Sequence, residues 1–238
     1  MPSPYGLKLV ESCVTCKLRN HTFFCSLPRS SLVHLDTLSL ANLLPKGSIL
    51  FVAGQKPGGV HILCAGKVKV CTQRGNGKLA MVKIAGPGEV LGLHACIGGT
   101  VHEFTAETVE PSHIVFVRGD DFKQFLSQNE VACWKAAQIL SRDCHEAYEI
   151  IRSGGGARSA SAKLARLLLD IAVIGKPHGD EIEVVLPLTH KEMAQAIGMS
   201  RETVWRKLVE FRHRGIAILK GSVLLIHNKA ELQRLAGR

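Results

Sequence analysis

No run of about 18 uncharged apolar residues occurs in this 238-residue chain, which argues against a single hydrophobic helix crossing a bilayer. The first residues, with Lys8, Glu11 and Lys17, also lack the short apolar core of a secretory signal. Together these absences predict a cytoplasmic protein with no membrane partner. There is no internal repeat, and no low-complexity stretch longer than Gly154-Gly155-Gly156. A βαβ pattern is missing around Cys13-x2-Cys16, which weighs against a thioredoxin-like thiol-redox enzyme, and no other reaction is suggested. What is present suits two compact domains: 46% hydrophobic residues and a net charge of +10. Residues after 153 are the more basic per residue, +6 against +4 for the longer N-terminal part, which fits a polyanionic partner without proving one.

Between Leu43 and Val117 glycine recurs at Gly47, Gly54, Gly58, Gly66, Gly75, Gly86 and Gly98. Short β-prone runs lie between them, at Ser48 to Ala53, Val60 to Cys64, Lys67 to Thr72, Leu79 to Ile84 and His113 to Val117, the grammar of an all-β sandwich or barrel. After Val117 the pattern turns helical. Cys133, Ala137, Leu140, Cys144, Ala147 and Ile151 step by 4, 3, 4, 3 and 4, a heptad seam that suits either a helix packed on its own barrel or a two-chain coiled coil. Ser153-Gly154-Gly155-Gly156 then reads as a hinge, and Leu164, Leu167, Leu168 and Ile171 as the apolar face of the next helix.

Thr189 to Ile226 reads as a helix-turn-helix with a β wing. Thr189 and Glu192 form a capping box, and Met193, Ala194 and Ile197 follow at helical spacing. Gly198 supplies the turn, and Ser200 caps a second helix with Val204, Leu208 and Phe211 on its apolar side. Ile216 to Leu219 and Ser222 to Ile226, joined through Lys220-Gly221, give the hairpin. The second helix carries Arg201, Glu202 and Arg206 near its start, where Arg can grip guanine and Glu can accept from cytosine in the major groove of double-stranded DNA.

Ser200-Arg201-Glu202-Thr203-Val204 followed by Arg206 resembles the recognition helix of the Crp/Fnr family of bacterial transcription regulators. Upstream, Gly54-Gln55, Cys64-Ala65-Gly66-Lys67-Val68 and Gly88-Glu89-Val90-Leu91-Gly92 resemble its sensor barrel, so the likeness spans nearly the whole chain. It implies an α+β protein: residues 1–28 as a cysteine-bearing segment, 29–118 as a jelly-roll β-barrel, 119–153 as a dimerisation helix region and 154–238 as a winged helix-turn-helix. It implies a homodimer joined along the seam, and RNA polymerase as a partner. DNA contact falls to Ser200, Arg201, Glu202, Thr203, Arg206, Thr189 and Lys207. Trp205 is expected along the groove edge or phosphate backbone rather than on a base. The Arg-Glu-x-x-x-Arg pattern, which the oxygen-sensing branch lacks at the position of Arg201, implies a TGTGA-like palindrome.

Cys13-x2-Cys16-x8-Cys25 crowds three thiols ahead of the barrel, a spacing that in a cytosolic protein suits a metal better than a disulfide. The oxygen-sensing branch carries a similar trio on a 4Fe-4S cluster, with a fourth cysteine late in the barrel. Here the last gap is longer, and Ser112 to Val117 contains no cysteine; of Cys64 and Cys96, Cys64 is the expected fourth ligand because it ends a strand. Zinc with His21, or free thiols and no metal, remain open. Cys71 and Cys96 read as buried hydrophobes, and Cys133 and Cys144 as seam residues. Cyclic AMP is not expected, because Val101-His102-Glu103-Phe104-Thr105 puts Glu103 where the cyclic-AMP receptor carries an Arg-Ser pair for the phosphate. His34, His61 and His94 read as surface or core residues, and nothing in the spacing of His94 or His113 asks for haem. Three competing functions stand: a barrel gated by a small effector without metal, a thiol-redox protein using Cys13-x2-Cys16, and a constitutive architectural DNA binder.

Overall fold

The computed structural model describes residues 12–16, 24–73, 79–152, 159–172, 175–178, 181–186 and 188–237. The expected hinge at 153–156 and the alternative ligand His21 lie outside them. The chain divides into two compact units, Met1–Thr72 with Ala85–Ile151 and Gln73–Ile84 with Arg152–Arg238. Among the described residues no helix is long and apolar enough to cross a membrane.

The first unit opens with α1 (Arg29–Thr37), followed by β1 (Ser39–Leu44), β2 (Ile49–Phe51), β3 (Gly59–Ala65), β4 (Val68–Gln73) and β6 (Val90–Leu91); β5 (Leu79–Ala85) falls, all but its last residue, in the second unit. Helix α2 (Leu93–Gly98), β7 (Thr105–Thr108), β8 (Ser112–Arg118), α3 (Gly119–Gln128) and α4 (Glu130–Arg152) complete it. Its sheets run β1-β8-β3-β6 and β2-β7-β4. Leu63, Val68, Val70, Leu91, Ala106 and Ile114 fill one apolar cluster with Phe51. Val60, Ile62, Cys64, Val115 and Val117 instead join α1, α3 and the start of α4 in a second. Residues 60 to 64 thus alternate between the two clusters, the period-2 signature of a strand buried on both faces. Tight turns hold the strands in place. Gly66 has φ +89°, and a Cβ there would overlap Ser112 and the Pro111 carbonyl, so the Cys64 to Val68 corner tolerates only glycine.

Two helices of this unit carry no capping signal in the sequence. Cys96 lies buried in α2, which starts after Gly92 (φ 82°) without a side-chain cap. Helix α1 starts at Pro28, again without a side-chain cap.

The second unit packs α5 (Ala160–Ala172), α6 (His190–Ile197), α7 (Arg201–His213) and α8 (Lys229–Ala236) with a sheet ordered β11-β12-β10-β9. Its strands are β9 (Lys176–His178), β10 (Glu181–Val185), β11 (Ala217–Lys220) and β12 (Val223–Ile226). Leu164, Leu168, Ile171, Met193, Val204, Phe211 and Leu224 meet in one core. The hairpin turns at Gly221-Ser222, because Lys220 already pairs with Val223; the expected turn at Lys220-Gly221 is one residue early.

A histidine pair sits among aromatic rings in the first unit. His102 is buried and stacks on Phe51 with ring centroids 3.9 Å apart, and His61 lies 4.9 Å from Phe116 and 5.7 Å from Phe51. Burial, assisted by His102, pushes His61 down to about 4 from the usual 6.5. The folded state therefore binds this proton less readily than the unfolded chain does. Stability should fall as pH drops from about 6.5 towards 4 and level off below, by at most about 3 kcal/mol from this group. Denaturant unfolding at pH 7 and 4.5 should show His61→Phe losing less stability than wild type between those values; equal losses would exclude His61 as the source.

Candidate thiol site and nucleic-acid interface

One cavity on the outer side of the β1-β8-β3 sheet gathers four of the eight cysteines. Cys13, Cys16, Cys25 and Cys64 line it together with Asp36, Ser12 and apolar residues including Phe24, Ile62 and Val115. Each thiol arrives by a different local device. Cys64 shares a face of β3 with Val60 and Ile62, next to the point where the β3–β8 register shifts between Leu63 and Ala65. Cys13 and Cys16 lie on a short turn held to α1 by one carboxylate: Asp36 Oδ2 accepts from the Ser12 hydroxyl at 2.5 Å, and Oδ1 from the Cys13 amide at 2.9 Å. Cys25 is carried between two docked neighbours. Phe24 is buried with its ring 5.8 Å from that of Phe122 on α3, and Ser26 Oγ accepts from Lys135 Nζ on α4 at 2.7 Å.

The electrostatics favour neutral thiols. Burial raises Cys13 well above its usual value, reinforced by its hydrogen bond to Asp36, and burial pushes Cys64 up to about 12, with Cys25, Cys16 and Asp36 adding repulsion. Among the described residues no group of three or more His, Cys, Asp or Glu side chains is drawn together closely enough to hold a metal ion as it stands. The donor set is nonetheless the soft one that suits iron–sulfur or zinc. Cys96 is not on this cavity; its thiol lies 4.0 Å from the Gly119 carbonyl. Sequence reasoning reached all four thiols but missed Asp36, Ser26 and Lys135, whose roles depend on contacts 23 to 109 residues away in the chain.

The second candidate surface lies on α6 and α7. Thr189 accepts from the Glu192 amide and Glu192 from the Thr189 amide, the reciprocal capping box, while Gly198 ends α6 in the left-handed region at φ 67°. Ser200 Oγ caps α7 by accepting from the Thr203 amide at 3.1 Å and lies 2.9 Å from Thr203 Oγ1. Arg201, Glu202, Trp205 and Arg206 are exposed, opposite buried Val204, Leu208 and Phe211. Lys207 stands apart from them: it is half-buried and donates to Glu210 Oε2 at 2.6 Å, on the far side of the helix. That ion pair competes with the DNA contact expected of Lys207. His190 opens α6 with its ring 5.8 Å from Trp205 and inclined at 69°, a neighbour that the sequence reading passed over.

On the seam of α4, Cys133, Ala137, Cys144 and Ala147 are exposed, whereas Ala132, Ala136 and Ile139 on another strip are buried in the unit's own core. Leu140 differs from its seam neighbours in being half-buried against that same core. The side chain of Ile151 lies outside the described residues.

A family model described as a cyclic nucleotide-binding domain matches residues 42–129, and one described as a Crp-like helix-turn-helix domain matches residues 162–235. A CRP-like cAMP-activated global transcriptional regulator of Mycobacterium tuberculosis is 26% identical over 198 residues, covering 81% of this chain and 86% of that protein. The fumarate and nitrate reduction regulatory protein of Vibrio cholerae is 24% identical over 229 residues, covering 94% and 90%. Among solved structures, FixK2 from Bradyrhizobium japonicum superposes with a TM-score of 0.70 at 19% identity, over 83% of this chain and 96% of that one, a likeness of fold.

The Asp36 clamp yields a direct test. Replacing Asp36 with Ala removes the acceptor for both Ser12 and Cys13, hydrogen bonds to a charged group worth about 1.5–3 kcal/mol each. Hydrogen exchange at the Cys13 amide is expected to speed up at least about tenfold while the α6 and α7 amides keep wild-type rates; unchanged exchange at Cys13 would show that something else holds the turn.

Proposed function

The chain belongs to the Crp/Fnr family of DNA-binding transcription regulators, and from that premise we propose a homodimer that reads a TGTGA-like palindrome and answers to an iron–sulfur cluster on Cys13, Cys16, Cys25 and Cys64. One observation carries the sensor half: four thiols from three separate segments line a single cavity. When bound, a cluster supplies an oxygen-labile cross-link among four thiolates. The chain's own residues do the rest. Cys64 offers a fixed anchor on the barrel, and Asp36 orients the Cys13–Cys16 turn towards it. Phe24 and Ser26 tie the Cys25 turn to α3 and α4, so a pull on that thiol is felt by the dimer helix. The exposed seam of small residues on α4 is the surface we assign to the second copy, which brings two recognition helices to half-sites about one DNA turn apart. RNA polymerase is the further partner that the family implies, and the cytoplasm the compartment. The relatives are transcription regulators, and we assign no catalysis.

Zinc is the second reading, favoured by the same donor set, since four thiolates also make a closed tetrahedral site. Cyclic AMP is disfavoured here: His102 is buried in its stack on Phe51, and the neighbouring Glu103 would repel a phosphate.

Anaerobic purification followed by absorption spectroscopy and metal analysis tests the sensor. A brown, iron-containing protein is expected, with operator affinity that changes on exposure to air and Cys16→Ser behaving as the air-exposed form. Cys64→Ser should lose the cluster and Cys96→Ser should keep it. A colourless protein containing zinc would favour the second reading, and equal operator binding in all forms would end the redox idea. Selection from random duplexes should return a palindrome with a GTGA core.

The seam has its own test. Ala137→Glu leaves the core of the single chain undisturbed, because the residue is exposed there, but places two like charges in a buried dimer seam. Sedimentation should show the dimer weakened by roughly 3 kcal/mol or more; an unaltered dimer would move the interface elsewhere.

A further inference from the structure

Trp205 is an indole 56% exposed on a helix whose other outward residues near it are charged. At about 100° per residue, counting from Arg201, Trp205 projects at about 40°, Glu202 at about 100° and Arg206 at about 140°. The buried Val204, Leu208 and Phe211 lie between about 280° and 340°, and Lys207 at about 240°. Trp205 therefore points inside the arc spanned by the three residues assigned to base edges, not beside it. Its ring is also braced. His190, the first residue of α6, packs edge-on against it, and His190 Nε2 is buried without a hydrogen-bond partner among the described residues, so that ring serves as a packing surface. A braced ring loses less freedom on binding than a free one.

We propose that Trp205 is a specificity-determining residue that packs on the 5-methyl group of a thymine in the major groove, held there by His190. An indole brings one N–H donor and a large apolar face. The apolar group that a base pair presents in the major groove is the thymine methyl, so the chemistry of the ring selects that target among the base edges. This departs from the groove-edge or backbone contact that the sequence alone suggests, and the departure comes from the arc and the brace. The inference rests on α7 being the base-reading helix.

Deoxyuridine in place of thymidine removes the methyl and leaves base pairing intact. With an operator selected by this protein, each thymine is replaced in turn and affinity is measured by fluorescence anisotropy at fixed salt. Wild type should lose about fourfold at one position per half-site and about fifteenfold when both half-sites are changed. Trp205→Ala should bind the two operators equally at that position, and His190→Ala should show a smaller penalty than wild type. Indifference of wild type to uracil at every thymine would overturn the proposal without needing any variant. So would a Trp205→Ala protein that keeps the full uracil penalty, or one that weakens all sequences alike with a shallower salt dependence, the mark of a phosphate contact. A wild type with no sequence preference at all would instead remove the base-reading role of α7 on which the proposal stands.

Discussion

Helix α4 carries two strips of small residues, and everything proposed about signalling depends on their sharing one rod. Ala132, Ala136 and Ile139 are sealed into the core of the first unit beside Phe122 and Phe125, while Cys133, Ala137, Cys144 and Ala147 face outward. Small side chains let both surfaces approach closely, and close-packed interfaces resist continuous deformation. A shift of the inner strip is therefore delivered to the outer one. Polar ties reinforce the inner side at two heights, Ser26 to Lys135 at 2.7 Å and His94 to Asp143 at 3.0 Å. The second is half-exposed and contributes little energy, but the first links the rod to the turn that carries Cys25.

Burial of the thiols narrows what the cavity can do. A nucleophilic cysteine needs a depressed thiol value, from a helix N-terminus or a neighbouring cation. Cys13 and Cys64 have the opposite surroundings, an apolar wall and the carboxylate of Asp36, and both are pushed upward. That weighs against thiol-redox catalysis through Cys13-x2-Cys16. The same groups become thiolates when a cation enters and its charge compensates theirs, as metal coordination does.

Most of the DNA-reading unit was legible because its signals are local. The Thr189–Glu192 box, the Ser200 cap and the Gly198 turn each act over three residues or fewer, and all occur as read. The α4 seam was legible as a period, although the half-burial of Leu140 was not, since periodicity does not say which neighbour covers a residue. Helix α8 carried a readable signal that went unused: Asn228 caps it by accepting from the Glu231 amide. By contrast, α1 and α2 start without side-chain caps, and β6 is two residues long, too short for any pattern. Cys64 was the preferred fourth thiol as a strand end. Its physical basis is the face of β3 that it shares with Val60 and Ile62; the alternation is local, but which segments cover that face depends on residues distant in the chain.

The build of the second unit bears on where control can act. Helix α7 is capped at its start, and Val204 and Phe211 are fully buried in a core that also holds Leu164, Leu168, Ile171 and Met193. A helix fixed by caps and core does not need DNA to fold it, so the base contacts proposed for α7 would be preorganised and little ordering free energy would be lost on binding. Preorganisation also leaves little for a signal to change within one unit. A single reading helix spans only a few base pairs, whereas two reach half-sites about 34 Å apart, and affinity for the pair depends steeply on whether both can engage at once. Regulation of such a protein is most effective on the spacing of two rigid readers, which is the quantity that the seam of α4 would set.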